Sequence, residues 1–344
     1  GMQLMSDGMQ KVAENRLQRL FEVLAGRVMY GVLLGTVVAA VLQSSGITTI
    51  MTVSMVNAGL MTLKQAFGIV MGANLGTTVT AQLIAFKVTD FVTVFIALGF
   101  VLNILAKGKK LKYSGQIMMG FGIMMLGMQM MGNSVAPLRK YQGFVDFIAT
   151  FADNPLIGLL AGTVMTCVVQ SSTATIGILM AMAGQGLIPL EGAIPVMLGD
   201  NVGTCITSVL ASLRANRAAK RVAYSHVLYN LIGSIIFIIF MGWFVDFVLY
   251  ISPEGDIARQ IANSHTAFNL LSTVIFLPIT NQFVAFIELL VPGKDVVISR
   301  KPLFLDVNML GTPSLAMQLA TKEVVRMGNM AWHNIELALS AIED

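Results

Sequence analysis

Gln43-Ser44-Ser45 returns 127 residues later as Gln170-Ser171-Ser172, and the chain is organised around that repetition. At the same offset, without a gap, Gly35-Thr36 falls on Gly162-Thr163, Gly59-Leu60 on Gly186-Leu187, and Asn74-Leu75-Gly76-Thr77 on Asn201-Val202-Gly203-Thr204. Thr80 falls on Thr207 and Asn103 on Asn230. The positions that survive are mostly hydroxyls, amides and glycines, set among interchangeable apolar residues. A packing repeat would keep its apolar pattern and let polar residues drift. Polar residues kept in apolar surroundings mark a doubled binding site.

Composition supplies the surroundings. Hydrophobic residues make up 56% and charged residues 12%, with a mean hydropathy of +0.77; a soluble domain carries about 25% charged residues. The lipid bilayer is therefore the medium. The net charge of +4 lies in short loops, which reads as a topology signal and excludes a nucleic-acid surface. Cys167 and Cys205 offer neither a disulfide framework nor a metal-ligand spacing. No Walker A sequence, His/Cys cluster or spaced Ser-His-Asp set supports an enzyme.

Taken in order, Met2–Leu24 mixes charges with leucines, as an amphipathic, interfacial or soluble helix does. Val28–Asn57 carries the first Gln-Ser-Ser between arms of about 13–15 residues. Each arm gives about 20 Å of helix against a ~30 Å hydrocarbon core. That suits a re-entrant hairpin with the motif at its tip; one long tilted helix is the alternative. Leu63–Phe86 spans, but its middle, Gly72-Ala73-Asn74-Leu75-Gly76-Thr77-Thr78, predicts a helix broken at mid-membrane. Phe91–Ala106 and Ser114–Met131 are further spans, and Asn133–Pro155 is an amphipathic connection. The second copy repeats the course: hairpin Ile157–Gly184, broken helix Ala193–Leu213, span Val222–Trp243, and a last segment Ile261–Val291 interrupted near Pro278. Ser225-His226 with Asn230, and Ser264-His265 with Asn269, place His and Asn on one helical face. Interhelical hydrogen bonding is the favoured reading of both.

Loop charges favour hairpins over long helices. If each hairpin returns to its own side, Lys107, Lys109, Lys110 and Lys112 share a face with Arg214, Arg217, Lys220, Arg221 and the 294–301 tail. Asp153, Asp246, Glu254 and Asp256 then face the other side. The positive-inside rule makes the basic face cytoplasmic and the second copy inverted. The expected fold is an all-α polytopic membrane protein of two inverted-topology repeats, each with a re-entrant helical hairpin and a broken transmembrane helix. Its divisions are an N-terminal amphipathic helix (1–27), repeat 1 (28–132), a connecting segment (133–156), repeat 2 (157–292) and a cytoplasmic tail (293–344). Gly127-Met128-Gln129 matches Gly1-Met2-Gln3, so a segment like the one beginning at Ser114 is expected ahead of Gly1. In the tail, Ser314–Ile342 reads as an amphipathic helix.

Two tips and two breaks meeting at the midplane would make one small polar cavity. Backbone N–H groups and helix N-termini favour an oxyanion, while hydroxyl, amide and carbonyl oxygens favour a hard cation such as sodium. Bound together, the two ions neutralise each other. Asp200, matched by Ala73 in the first copy, is a candidate cation or proton site, with a structural role as the alternative.

The doubled Gln-Ser-Ser, each followed by Gly-x-Asn-x-Gly-Thr, and the paired His-x-x-x-Asn resemble the bacterial branch of the type II sodium/phosphate cotransporter family, over residues 1–292. Thr321–Ala331 looks like the opening helix of the PhoU-like domain that follows the membrane part in such relatives. The resemblance implies a non-enzymatic, sodium-coupled secondary transporter. It would import inorganic phosphate across a bacterial inner membrane by alternating access, without a cofactor beyond the coupling sodium ions. It implies one sodium site at Gln43, Ser171, Thr204 and Thr207; internal symmetry adds Gln170, Ser44, Thr77 and Thr80. Phosphate would sit against Ser44, Ser45, Ser171, Ser172 and Thr173, with Asn74 and Asn201 close by. Two departures bear on stoichiometry: Gly46 stands where the family often has a third serine, and Asn57–Met61 lacks the aspartate of electrogenic animal members. Another oxyanion or a carboxylate as cargo, and a membrane-bound phosphate-signalling regulator, are the rival readings. A homodimer is carried as an option for assembly.

Overall fold

The structure, a computed structural model, describes residues 1–22, 28–57, 61–86, 91–293 and 313–343. Leu60, Gly59 and the 294–301 tail lie outside the described residues. The chain divides into two compact units, Gly1–Asp295 and Val296–Asp344. The second contains one long helix, Pro313–Glu343, with an ion pair between Arg326 and Glu323 one turn apart.

The first unit is a helical membrane bundle. It opens with α1 (Met2–Glu22), α2 (Val28–Leu42), α3 (Ser45–Asn57), α4 (Leu63–Ile84), α5 (Val92–Leu105) and α6 (Lys109–Val135). A 3-10 turn (Ala136–Lys140) leads to α7 (Gln142–Asp153), α8 (Pro155–Val169), α9 (Ser172–Gly184), α10 (Leu190–Thr204) and α11 (Ile206–Ser212). Last come α12 (Arg217–Ile239), α13 (Met241–Tyr250), α14 (Ile257–Phe276) and α15 (Thr280–Leu290). Leu63–Ile84, Leu190–Ser212 and Arg217–Ile239 are long and apolar enough to cross a membrane. Two bent pairs add to them: α7 with α8 at 111°, and α14 with α15 at 86°. The second bend falls at Pro278, whose missing N–H removes a helical hydrogen bond.

Small residues decide how α2 and α4 meet. Gly31 faces Gly68, Gly35 lies on the Ile69 carbonyl, Gly72 on the Val32 carbonyl and Gly76 on the Thr36 carbonyl, with no room for a β-carbon. The numbers rise together, so α2 and α4 are parallel, and α3 between them must run back. Its 13 residues provide about 20 Å of return. The second copy repeats each contact at the offset of 127: Gly158 on Pro195, Gly162 on Val196, Gly199 on Leu159 and Gly203 on Thr163. Both Gln-Ser-Ser motifs therefore sit at the turn of a helical hairpin.

The expected break in α4 is absent. Its glycines accommodate α2 instead of interrupting the helix. Thr77 and Thr78 return their hydroxyls to the Asn74 and Leu75 carbonyls, both at 2.8 Å. In the second copy the interruption is slight: Cys205 alone separates α10 from α11, with helical backbone angles. Helix α1 also departs from the interfacial reading. It packs antiparallel on α6 through Gly8 and Gly120, Gln116 Nε2 donates to the Leu4 carbonyl (3.1 Å), and Met5 is 2% exposed.

An aromatic cluster fixes the later helices on α4. The Phe67 ring stands edge-on to Tyr229 (5.8 Å between centroids) and lies 4.7 Å from Phe283, and Phe276 meets all three. At one end of the bundle, the Asn216 backbone N–H donates to Asn57 Oδ1 and Asn216 Nδ2 to the Asn57 carbonyl, both 2.8 Å. Arg221 is buried there: its guanidinium donates to the carbonyls of Val291 (2.9 Å) and Gly293 (2.6 Å).

Candidate functional site

Each tip is built the same way. Gln43 (φ 53°) and Gln170 (φ 55°) are the residues other than glycine with left-handed backbone among those described. That conformation is uncommon for a glutamine, and at a non-glycine residue it costs stability unless the surroundings hold it. The serine that follows caps the returning helix. Ser44 Oγ accepts from the Ile47 N–H (3.2 Å) and Ser171 Oγ from the Ala174 N–H (3.3 Å). The N-termini of α3 and α9, with their partial positive charge, thus open at the two tips.

Both tips line one cavity of about 460 Å³. From the first come Gln43, Ser44, Ser45 and Gly46; from the second, Gln170, Ser171, Ser172 and Thr173; from α10–α11, Thr204 and Thr207. Gly46 lies against Thr207, and a β-carbon there would stand 3.1 Å from Thr207 Oγ1. Thr204 donates to the Asp200 carbonyl (2.9 Å) and Thr207 to the Thr204 carbonyl (3.0 Å). With their protons spent on the backbone, both hydroxyls offer lone pairs, as cation ligands do. Gln43 Oε1 is buried and accepts no hydrogen bond.

The remaining sequence candidates lie off this cavity. Thr77 and Thr80 are buried in α4, Thr80 Oγ1 without a partner. Asn74 and Asn201 are held between helices. Asn74 Nδ2 donates to Asn230 Oδ1 (2.8 Å), and His226 Nε2 lies 3.1 Å from Asn74 Oδ1. Asn201 Oδ1 accepts from Asn269 Nδ2 (3.3 Å) and faces His265 Nε2 at 3.4 Å. The two His-x-x-x-Asn patterns thus bind the two asparagines that the repeat aligned. Asp200 is fully buried; Oδ1 accepts from Thr166 Oγ1 (2.7 Å), and Oδ2 has no partner. In the first copy, Ala39 and Ala73 occupy the places of Thr166 and Asp200.

A family model described as Na+/Pi-cotransporter matches residues 1–133 and 139–274. The chain belongs to the Na+/Pi-cotransporter family. This is a family of transporters, not of enzymes. The Bacillus subtilis "Uncharacterized protein YqeW" is 33% identical over 254 residues, 74% of this chain and 82% of that protein. The Salmonella typhimurium "Putative inorganic phosphate export protein YjbB" is 25% identical over 330 residues, 96% of this chain and 60% of that protein. The chain thus spans less than two thirds of YjbB. The rat "Sodium-dependent phosphate transport protein 2A" is 38% identical over 60 residues, 17% of this chain and 9% of that protein. No solved structure matches.

The family match includes α1, whose part in the cavity the sequence reading missed. Met2, Gln3, Ser6, Asp7 and Gln10 line it, at spacings that share one helical face. Ser6 Oγ donates to the Leu42 carbonyl (2.9 Å), and Gln43 Nε2 contacts Met9 Sδ (3.4 Å). The signal was legible as polar residues at positions 3, 6, 7 and 10 of one stripe. Their charged neighbours masked it.

Proposed function

We propose that the chain is the membrane core of a sodium-coupled phosphate transporter, with substrate and sodium bound between the two hairpin tips. One observation carries this reading: a single cavity gathers both Gln-Ser-Ser tips, two helix N-termini and the threonines of α10–α11, yet has no Lys or Arg in its lining. An oxyanion there gains hydrogen bonds from hydroxyls and backbone N–H groups but no side-chain cation. A bound cation must supply the missing charge, which is a physical basis for coupling.

In this reading Ser44, Ser45, Ser171, Ser172 and Thr173 contact phosphate, and Gln43, Ser171, Thr204 and Thr207 hold sodium. Gln170 and Ser44 belong to the symmetric set, whose Thr77 and Thr80 would join in another conformation. Asn74 and Asn201 hold the scaffold of the site. Asp200, buried off the cavity with Oδ2 unpartnered, is a separate cation or proton site. The hydrogen bonds joining Asn57 to Asn216 support inverted topology. They set the end of α11 beside the start of α4, so equivalent helices run in opposite senses. The basic ends then face the cytoplasm of a bacterial inner membrane, and the C-terminal helix is PhoU-like.

A coupled carrier runs down the combined gradient, so an inward sodium gradient drives import. The export in the name of the YjbB relatives would be the same cycle reversed. Proteoliposomes test both. Labelled phosphate uptake that needs inward sodium, and efflux when the sodium gradient is reversed, are expected. Uptake indifferent to sodium would remove the coupling. Competition by sulfate or dicarboxylates, but not by phosphate, would change the cargo.

A further inference from the structure

The cavity between the tips has one ionisable side chain in its lining, Asp7 of α1. Asp7 is half-buried, and its carboxylate has no hydrogen-bond or ion-pair partner among the described residues. Lys11, one turn further, does not neutralise it: its ammonium lies over the Tyr113 ring of α6, 5.5 Å from the centroid. The residues on either side of Asp7 fix its position. Ser6 is bonded to the Leu42 carbonyl, and Met9 receives the Gln43 amide nitrogen. That leaves Gln43 Oε1 buried and undonated. Asp7 and Gln43 therefore line one cavity beside the first tip, with the orphaned amide oxygen buried in its wall.

Such a pair repels phosphate and suits a hard cation, which takes carboxylate and carbonyl-type oxygens together. We propose that Asp7 is a direct ligand of a coupling cation at the first tip, sharing it with Gln43 Oε1. This rests on the sodium-coupled reading above and deepens it. The site takes a monovalent alkali cation, sodium first, and it carries a formal charge that a purely amide-and-hydroxyl site lacks. The second copy has no equivalent. Where Met2-Gln3 matches Met128-Gln129, Asp7 falls on Asn133, which is neutral and exposed. The device is therefore one-sided, and cation binding at the two tips is unequal.

The test uses the whole purified chain in detergent, with thermal stability read against NaCl at constant ionic strength made up with choline chloride. A ligand that binds only the folded state stabilises it in proportion to ln(1 + [L]/Kd). Wild type should gain stability with sodium. Asp7→Asn should need about tenfold more sodium for the same gain, and Asp7→Glu, which keeps the charge but displaces it, should fall between. If Asp7→Asn fails to fold, Asp7→Glu alone still reports a shifted sodium dependence. Combined with Gln43→Ala, Asp7→Asn should lose less than the sum of the two singles, as ligands of one ion do. An unchanged sodium titration in both Asp7 variants overturns the proposal. So does strict additivity with Gln43, which would make Asp7 a distant charge. Sodium-specific stabilisation without phosphate movement in vesicles would sink the transport reading while leaving this site standing.

Discussion

Gly46 of the first tip lies against Thr207 of α11, where a β-carbon would stand 3.1 Å from the threonine hydroxyl. This contact joins the two copies at the cavity, and a side chain at position 46 would crowd it. A side chain at position 46 would press on a hydroxyl whose lone pairs face the cavity. Gly46→Ala should raise the half-saturating sodium concentration for uptake about three- to tenfold, a change on the order of 1 kcal/mol, while the protein still purifies as a folded species. Unaltered sodium dependence would separate Thr207 from the cation site.

The paired asparagines make a stability prediction. His226 bridges Asn74 and Ser208, with Nδ1 at 3.0 Å from Ser208 Oγ. In the second set, His265 Nδ1 and Asn269 Oδ1 are buried without partners. Removing His226 orphans Asn74 Oδ1, since Ser208 Oγ keeps its bond to the Cys205 carbonyl (2.8 Å); a buried group left unpaired costs about 1–3 kcal/mol. His226→Leu should therefore lower the melting temperature more than His265→Leu. Equal losses would mean that the two sets contribute alike.

The hairpins were legible because the repeat keeps Gln-Ser-Ser between arms too short to span. Arm length and loop charge both argue for a turn there. The helix break expected in α4 fails for a physical reason. Gly72, Gly76, Thr77 and Thr78 look like poor helix formers in isolation, yet in a bilayer small residues serve helix contact. Threonine hydroxyls bonded to preceding carbonyls stay helical. Sequence spacing could not separate those uses. Asn74 and Asn201 were assigned to phosphate on resemblance, but their partners, His226 and His265, lie on helices whose neighbours only the folded chain reveals. Asp7 was hidden because α1 reads as amphipathic, and nothing in its pattern says that its polar stripe faces a cavity.

Topology has a direct test. Gly108 lies at the α5–α6 turn, and Asn216 is bonded to Asn57 near the start of α4. Cysteines at Gly108 and at Ala215, beside Asn216, should both react with an impermeant thiol reagent only from the cytoplasmic face. Labelling of one from outside would contradict the inverted arrangement.

Asp200 offers an internal control, because the first copy shows what the site looks like without it. Ala39 and Ala73 replace Thr166 and Asp200 at the same offset. The paired change Thr166→Ala with Asp200→Ala should thus be tolerated in folding. Thr166→Val alone, which leaves the buried carboxylate without its 2.7 Å donor, should destabilise by about 1–3 kcal/mol. Asp200→Asn should weaken sodium dependence more than phosphate affinity measured at saturating sodium. If sodium dependence is unmoved, Asp200 returns to a structural role.

One ion joins the two copies in this scheme. Gln43 lines the cavity, and its amide oxygen is buried without a donor. Thr204, far away in sequence, brings a hydroxyl whose proton is already given to the Asp200 carbonyl. Gln43→Ala and Thr204→Val each remove one oxygen, the second with little change in volume. Each should raise the sodium concentration needed for half-maximal uptake, by about tenfold if the lost ligand is worth about 1.4 kcal/mol. Phosphate affinity at saturating sodium should move less. Because both oxygens serve one cation, the double variant should lose less than the product of the single effects. Gln170→Ala, on the other tip of the same cavity, measures how far the second glutamine shares the load. Independent effects of Gln43 and Thr204, each multiplying in full, would place the two oxygens on different ions.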